Sequence, residues 1–511
     1  MNGSEPVAEV GGAPMGAENA LPGSDLRPGV ALCVDLDGTL VKSDTLLDTL
    51  LVVARKRPLE LLRLPEWLVQ GRAAFKQRVV GLVNLNVEHL PYNRPLLEFL
   101  LQQHGQGRAI YLATASDAGL AERVAAHLGI FAGVLASDGE TNLAGMNKLA
   151  AFRARFGNEF CYIGNARPDV ALLAACQAPM VANPSLALRA GLKRTGTAVT
   201  AKFEDQRPWL RSWLKAIRLH QWAKNTLIFV PLMLAHQWHA RPIVRAVTAF
   251  LSFGMCASAT YIVNDLLDLE ADRMHPSKRR RPFAAGDLSV VWGMAAVCLL
   301  LLASLALALA LPSLTVQPDA VRLFRSSSFL EWLGLYAAST LMYSLYLKRK
   351  LLLDVFVLSG LYTVRILAGS AATGTPISAW LAGFSVFFFL SLAFVKRFSE
   401  LEGVRERGGS TSTGRGYLVS DLEQLRALGT GSMYAAVVVL TLYINNPDTN
   451  LLYQHSARLW LVVPVLLLWL SRMWMLASRG NMHDDPVVFA ITDKRSLLLG
   501  VLMAAVVWWA L

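Results

Sequence analysis

Tyr261-Ile-Val-Asn-Asp-Leu-Leu-Asp-Leu-Glu-Ala-Asp272 closes an apolar run that begins near residue 243, and it governs how the rest of the chain is read. Asp265, Asp268 and Asp272 are spaced by three and four residues, which puts them on one face of a predicted helix. Three like charges on one face repel, and only a cation makes them cooperate. Hard carboxylate oxygens at a membrane surface suit Mg²⁺ bridging to a diphosphate. Asn264 opens the group, and His275-Pro-Ser-Lys-Arg-Arg-Arg-Pro282 follows with Lys278 and Arg281 as candidate phosphate ligands. The plainer alternative is a solvated loop of balanced charge. Acidic spacing and a basic run occurring together weigh against it.

Working outward, stretches long enough for a roughly 30 Å hydrocarbon core, about 20 helical residues each, recur to the C-terminal end. Nine spans are predicted, near 225–240, 243–263, 289–312, 329–347, 351–371, 377–395, 431–447, 458–478 and 495–511. With no internal repeat, they predict an all-α membrane bundle over 225–511. The 511 residues are 54% apolar and 17% charged, with mean hydropathy +0.40, which excludes an ordinary cytosolic enzyme or a fibrous protein.

The net charge is +12, from 49 Lys and Arg against 37 Asp and Glu. Nucleic acid is not the expected partner, because basic loops facing anionic lipid explain the excess. Lys215, Arg218, Lys224, Arg273, Lys278–Arg281, Lys348–Lys350, Lys396, Arg397, Arg405 and Arg407 fall on alternate loops, whereas the other side offers Arg241, Arg245, Arg322, Arg325 and Arg458. That asymmetry predicts a multi-pass inner (cytoplasmic) membrane protein with its sites facing the cytoplasm. Five cysteines without paired spacing, Cys33, Cys161, Cys176, Cys256 and Cys298, fit a reducing compartment. On the predicted cytoplasmic face, further candidate phosphate-binding residues are Tyr343, Lys348, Asp354, Arg365, Lys396, Arg397 and Glu400. Arg365 lies inside a span, where a charge is costly and marks a site unless it pairs with Asp354 or a helix end. Asp484, Asp485 and Asp493 form a further acidic group, read equally well as a solvated loop.

The segment Asn264–Arg281 resembles the first aspartate-rich motif of UbiA-type intramembrane prenyltransferases, and the likeness covers roughly 210–511. That resemblance implies nine helices and a Mg²⁺-diphosphate site at the cytoplasmic face. Asp272-Arg-Met-His-Pro-Ser-Lys-Arg-Arg-Arg-Pro-Phe-Ala-Ala-Gly286 is similar to the decaprenyl-phosphate phosphoribosyltransferase branch. Tyr343-Ser-Leu-Tyr-Leu-Lys348, Asp354, Arg365 and Lys396-Arg-Phe-Ser-Glu400 fit it too. One departure stands out: the loop between the sixth and seventh spans lacks the superfamily's second aspartate motif and carries basic residues with Glu400 and Glu402. A donor with a 5-phosphate and a diphosphate, meeting a lipid phosphate, brings more negative charge and needs those cations.

The first 200 residues have another character. Residues 1–28 lack a basic n-region and an apolar h-region, so the expectation is a disordered leader and no cleaved signal peptide. Val30-Ala-Leu-Cys-Val-Asp-Leu-Asp-Gly-Thr-Leu40 reads as a strand delivering two carboxylates. Asp35 could attack phosphorus and Asp37 protonate the leaving oxygen. Ala109-Ile-Tyr-Leu-Ala-Thr114, Gly145-Met-Asn-Lys148 and Phe160-Cys-Tyr-Ile-Gly-Asn-Ala-Arg-Pro-Asp169 follow in order. Strands alternating with helical stretches predict an α/β domain, a doubly wound parallel sheet with its site at the strand ends, over 29–200, then a linker and amphipathic entry over 201–224. The ordered set resembles haloacid dehalogenase-like phosphatases: Asp35, Asp37 and Thr39 match their first motif, Thr114 the second, Lys148 the third and Asp169 part of the fourth. The likeness implies a helical cap between Asp37 and Thr114 and Mg²⁺ held by Asp35, Asp169 and Asn165. The family commonly has Asp where Asn165 stands, which removes a charge and leaves an inactive head open as an alternative.

Together the expectation is a bifunctional membrane enzyme. Its body moves phosphoribose from phosphoribosyl pyrophosphate to a polyprenyl phosphate, and its head dephosphorylates the product. The alternatives are a UbiA-type polyprenyltransferase acting on an aromatic quinone or haem precursor, and a transporter or scaffold whose carboxylates bind a cation without chemistry. Homo-oligomer formation stays open.

Overall fold

The computed structural model describes residues 29–137, 143–311, 328–410, 415–482 and 485–511; the expected leader, 1–28, and Asp484 lie outside them. Two compact units emerge. Among the described residues, one comprises those from 29 to 207 with 269–280 and 284–287, the other those of 208–268, 281–283 and 288–511.

The first unit is built on six strands, β1 (Ala31–Val34), β2 (Ile110–Asp117), β3 (Gly133–Ser137), β4 (Phe160–Gly164), β5 (Pro179–Ala182) and β6 (Ala201–Phe203). They form one parallel sheet in the order β3-β2-β1-β4-β5-β6. Central strands of such sheets are covered on both faces and read as unbroken apolar runs. Leu32, Cys33 and Val34 of β1 are accordingly fully buried. Leu32 and Val34 join Leu112, Ile163 and Met180 on one face, while Cys33 joins Phe152, Tyr162 and Val181 on the other. β6 carries the sheet past residue 200. The crossovers hold α1 (Thr45–Lys56), α2 (Leu64–Val69), α3 (Arg72–Leu82), α4 (Arg94–Gly105), α5 (Ala118–Leu128), α6 (Met146–Phe156), α7 (Val170–Ala175) and α8 (Leu186–Thr195). Asp44, Asp117 and Ser185 cap α1, α5 and α8 by accepting from their first N–H groups. Residues 269–280 contribute α12 (Leu269–Met274), whose Arg273 forms a buried ion pair with Asp48 at 2.7 Å. Breaking such a pair by removing one partner costs about 3–5 kcal/mol.

The second unit is helical. It comprises α9 (Trp209–Ala216), α10 (Val230–Leu234), α11 (Ala240–Leu267), α13 (Val290–Leu309), α14 (Phe329–Leu345), α15 (Leu353–Thr373), α16 (Ala379–Glu406), α17 (Leu422–Ile444), α18 (Pro447–Leu452), α19 (Val462–Ser478), α20 (Pro486–Thr492) and α21 (Lys494–Ala510). Among the described residues six segments are long and apolar enough to cross a membrane: Ala240–Leu267, Val290–Leu309, Leu353–Thr373, Ala379–Glu406, Val419–Ile444 and Ser456–Ser478. Of the nine expected spans, three fall short of that standard. Those near 329–347 and 495–511 are helices of 17 residues, about 25 Å of rise. The stretch 225–240 is a 3₁₀ segment, Leu219–Phe229, running into five-residue α10. Large apolar side chains on the outside, Leu299, Leu302 and Trp508 among them, suit a hydrocarbon surround.

Close backbone approach fixes the bundle's interior. A Cβ built at Gly369 on α15 would lie 2.1 Å from the carbonyl oxygen of Ile228, so only glycine lets the 3₁₀ segment sit there.

Candidate functional site

Both units gather charged side chains. In the first unit β1 delivers Asp35 and the turn beyond it Asp37, a turn that needs Gly38 (φ +74°). A Cβ at Gly38 would fall 1.9 Å from Asn165 Nδ2, so the Asn165 side chain lies directly over this turn. Lys148, at the start of α6, donates to Asp35 Oδ1 at 2.7 Å and to the Tyr162 hydroxyl at 3.1 Å. Thr39 Oγ1 donates to Asp35 Oδ2 at 3.2 Å. The Tyr162 hydroxyl donates to Asp169 Oδ1 at 2.8 Å, while the N–H groups of Asn165 and Ala166 donate to Asp169 Oδ2 at 3.0 and 2.9 Å. Asp37 accepts the Thr45 N–H at 2.7 Å and the Ser116 hydroxyl. Thr114 is buried and accepts the Ser116 N–H at 3.0 Å.

The expected residues Asp35, Asp37, Thr39, Thr114, Lys148, Asn165 and Asp169 thus gather at the C-terminal ends of the central strands. Desolvation pushes the Asp35 carboxyl from 3.8 up to about 6, with the Lys148 charge opposing it. Desolvation, then the Asp44 charge, likewise pushes Asp37 up to about 6. The hard oxygens of Asp35, Asp169 and Asn165 are the donor class a divalent ion takes. Four helices, α1 to α4, lie within 45–105, and α3 sends Lys76 to the Ala115 carbonyl at 2.6 Å. Lys76, Ser116 and Tyr162 were not singled out in the sequence. Ser116 could have been, since it lies two residues beyond Thr114 on one strand and so shares its face.

In the second unit Asp265, near the end of α11, accepts from Arg218 at 2.5 Å and Arg281 at 2.9 Å. Asp268 accepts from Lys348 at 2.6 Å. The single helical face expected for the three aspartates is interrupted: α11 ends at Leu267, Asp268 leaves helical geometry (ψ 11°), and Asp272 lies in α12 of the first unit. Asn264 serves the helix end, its carbonyl accepting the Asp268 N–H at 2.9 Å. Lys278 is exposed within the first unit. Arg365 does not pair with Asp354. It donates to Asn225 at 2.9 Å, the Leu361 carbonyl at 2.5 Å and the Tyr336 hydroxyl at 3.2 Å, so three neutral acceptors satisfy the buried cation. Asp354 instead takes Arg397 and the Tyr417 hydroxyl, each at 2.5 Å. Arg397 also reaches Glu400 at 2.5 Å and the Tyr343 hydroxyl at 2.8 Å.

Of the acidic group before the last helix, Asp493 pairs with Arg472 at 2.7 Å and Asp485 forms a separate centre. Asp485 accepts from Lys224 and Lys396, each at 2.8 Å, and from the Tyr362 hydroxyl at 2.7 Å. Arg218, Lys224 and Asn225 were read only as loop charge or span, because nothing local shows what a 3₁₀ segment will face. Among the described residues no three His, Cys, Asp or Glu side chains converge as a metal cluster. Asp265 and Asp268 are hard oxygen donors already neutralised by arginine and lysine.

A bundle of long apolar helices carrying carboxylates paired with guanidinium and ammonium groups is the architecture of a membrane-embedded protein. The UbiA prenyltransferase family model matches residues 226–499. The chain belongs to the UbiA prenyltransferase family. It is 37% identical to the uncharacterized protein y4nM of Sinorhizobium fredii, over 93% of this chain and 90% of that protein. It is 36% identical to the nodulation protein NoeC of Azorhizobium caulinodans, over 58% of this chain and 92% of the relative. Its identity to the decaprenyl-phosphate phosphoribosyltransferase of Mycobacterium tuberculosis is 29%, again over 58% of this chain and 92% of the relative.

Proposed function

We propose that the helical unit transfers 5-phosphoribose from phosphoribosyl pyrophosphate to a polyprenyl phosphate. The α/β unit, in this reading a haloacid dehalogenase-like phosphatase, then removes the 5-phosphate from the lipid product. The observation that carries the transfer reading is the cation excess: Arg218 and Arg281 both on Asp265, Lys348 on Asp268, and Lys224 with Lys396 on Asp485. Such a set suits a donor and an acceptor that are both phosphates. The likeness to decaprenyl-phosphate phosphoribosyltransferases supports the same reading.

In the transfer step the bond from C1 to the diphosphate oxygen breaks, the ribosyl carbon gains oxocarbenium character, and a lipid phosphate oxygen bonds to C1. Arg218, Arg281 and Lys348 swing from carboxylate to diphosphate as its charge grows. Mg²⁺, when bound by Asp265 and Asp268, would neutralise the leaving diphosphate. The acceptor is already an anion, so no strong base is required. In the hydrolytic step Asp35 attacks the 5-phosphorus, Asp37 protonates the departing ribose oxygen, and water then cleaves the phospho-aspartate. Lys148 and Thr39 hold the Asp35 carboxylate in line, and Tyr162 ties Lys148 to Asp169. Mg²⁺ on Asp35, Asp169 and Asn165 would screen the phosphate charge. Both sites are taken to face the cytoplasm.

The test is purified full-length protein with phosphoribosyl pyrophosphate, a polyprenyl phosphate and Mg²⁺, with mass spectrometry of the lipid. Wild type is expected to yield lipid-phosphoryl ribose, and Asp35→Asn the same lipid still carrying its 5-phosphate. Product from a prenyl diphosphate and an aromatic acid, with none from phosphoribosyl pyrophosphate, would overturn the transfer reading.

A further inference from the structure

The loop that follows Asp268 is part of the first unit, and one of its side chains reaches the turn beside Asp37. Arg273 is buried. Its Nη1 donates to Asp48 Oδ2 at 2.7 Å, its Nη2 to Ser43 Oγ at 3.1 Å and its Nε to the Ala284 carbonyl at 3.2 Å. The Asp48 side chain is fully buried, and its Oδ2 also accepts from Ser43 at 2.6 Å. Its Oδ1 has no hydrogen-bond partner among the described residues.

Ser43 and Asp48 bracket the segment that serves Asp37. Asp44 caps α1, Thr45 donates its N–H to Asp37, and the Ser43 carbonyl accepts the Gly38 N–H at 3.2 Å. One guanidinium therefore grips both ends of a short turn whose middle aims a donor at the acid. Without it, Asp48 would be a buried charge lacking its counter-ion, and the turn would have to open toward water to hydrate it. The far end of the loop is held separately, by Asp287 facing Lys42 and Arg207, each at 3.7 Å.

We propose that Arg273 is a positioning residue for the phosphate chemistry of the α/β unit, so that a segment read as part of the transferase's aspartate motif completes the hydrolytic site. The assignment rests on the phosphatase reading, and its test separates the two. Full-length protein is assayed with p-nitrophenyl phosphate and Mg²⁺, and amide hydrogen exchange is followed over residues 36–50. Arg273→Ala is expected to lower kcat roughly a hundredfold with little change in KM, the scale of a misplaced catalytic group. Exchange over 36–50 rises in the same variant. Arg273→Lys restores most of both, Asp48→Asn reproduces the exchange change, and Arg207→Ala alters neither. Unchanged protection over 36–50 in Arg273→Ala overturns the proposal. So does a rise spread evenly through 160–164, which marks general destabilisation. If wild type hydrolyses no phosphomonoester while the local exchange change appears, the phosphatase reading falls and the anchoring of the turn stands.

Discussion

In the α/β unit a single ammonium, Lys148, touches Asp35 while Asp37 and Asp169 rely on hydroxyl and N–H donors. In the helical unit a single carboxylate, Asp265, receives two guanidiniums, and Asp485 two ammoniums. In the proposed reading both arrangements handle phosphate, yet they are short of opposite charges. In the cation-poor site burial raises the Asp35 and Asp37 carboxyls to about 6, which suits proton and phosphoryl transfer. A site rich in cations holds positive charge in reserve for an anion. Charge balance, more than residue type, separates the two roles.

The sharpest way to break this comparison is Asp265→Ala. It should cut lipid-linked product about a hundred- to thousandfold, the range for losing a transition-state electrostatic group, while p-nitrophenyl phosphate hydrolysis by the same preparation is unchanged. Parallel loss of both activities would mean the two carboxylate sets do not act separately. Next in size is Lys348→Ala. Losing one charge-assisted phosphate contact costs about 2–3 kcal/mol, so the KM for phosphoribosyl pyrophosphate should rise roughly 30- to 150-fold, read from initial rates at saturating lipid.

Thermal stability sharpens the cation-poor side. Asp35 and Asp37 are raised from 3.8 to about 6, so the folded unit binds their protons more tightly than the unfolded chain. Their contribution to stability is complete below 3.8 and is lost as pH rises through about 6. Calorimetry in EDTA should therefore show the midpoint of the α/β unit falling between pH 4.5 and 7, about 2–4 °C per kcal/mol lost for a unit of this size. Asp37→Asn should flatten that slope. The smallest effect is expected from Asn165→Asp, which restores a carboxylate over Gly38 and should lower the Mg²⁺ concentration for half-maximal hydrolysis several-fold. A rise would mean the neutral amide is the better partner for this turn.

Local patterning carried much of this into the sequence. Apolar runs announced the strands at 31–34, 110–117 and 160–164 because buried parallel strands leave no polar face. Asp35, Asp37 and Lys148 were legible because each sits at a strand end or beside a glycine turn. What stayed hidden depends on long-range approach. Lys224 meets Asp485 across 261 positions, and Arg273 meets Asp48 across 225. Spacing says nothing of such pairs. The aspartate motif misled in one respect, since a three-and-four spacing assumes an unbroken helix and this one pauses at Asp268.

Gly369 acts as the gauge block of the bundle. It lies one turn beyond Arg365, and Ile228, whose carbonyl it admits, lies three residues beyond Asn225. The hydrogen already present on that α-carbon sets the clearance at which Asn225 meets Arg365 at 2.9 Å. One added methyl would act as a shim, spreading the two backbones and drawing Lys224 away from Asp485 along with Asn225. The helical unit thus owes the fit of two of its buried cations to an atom that a residue with no side chain leaves out.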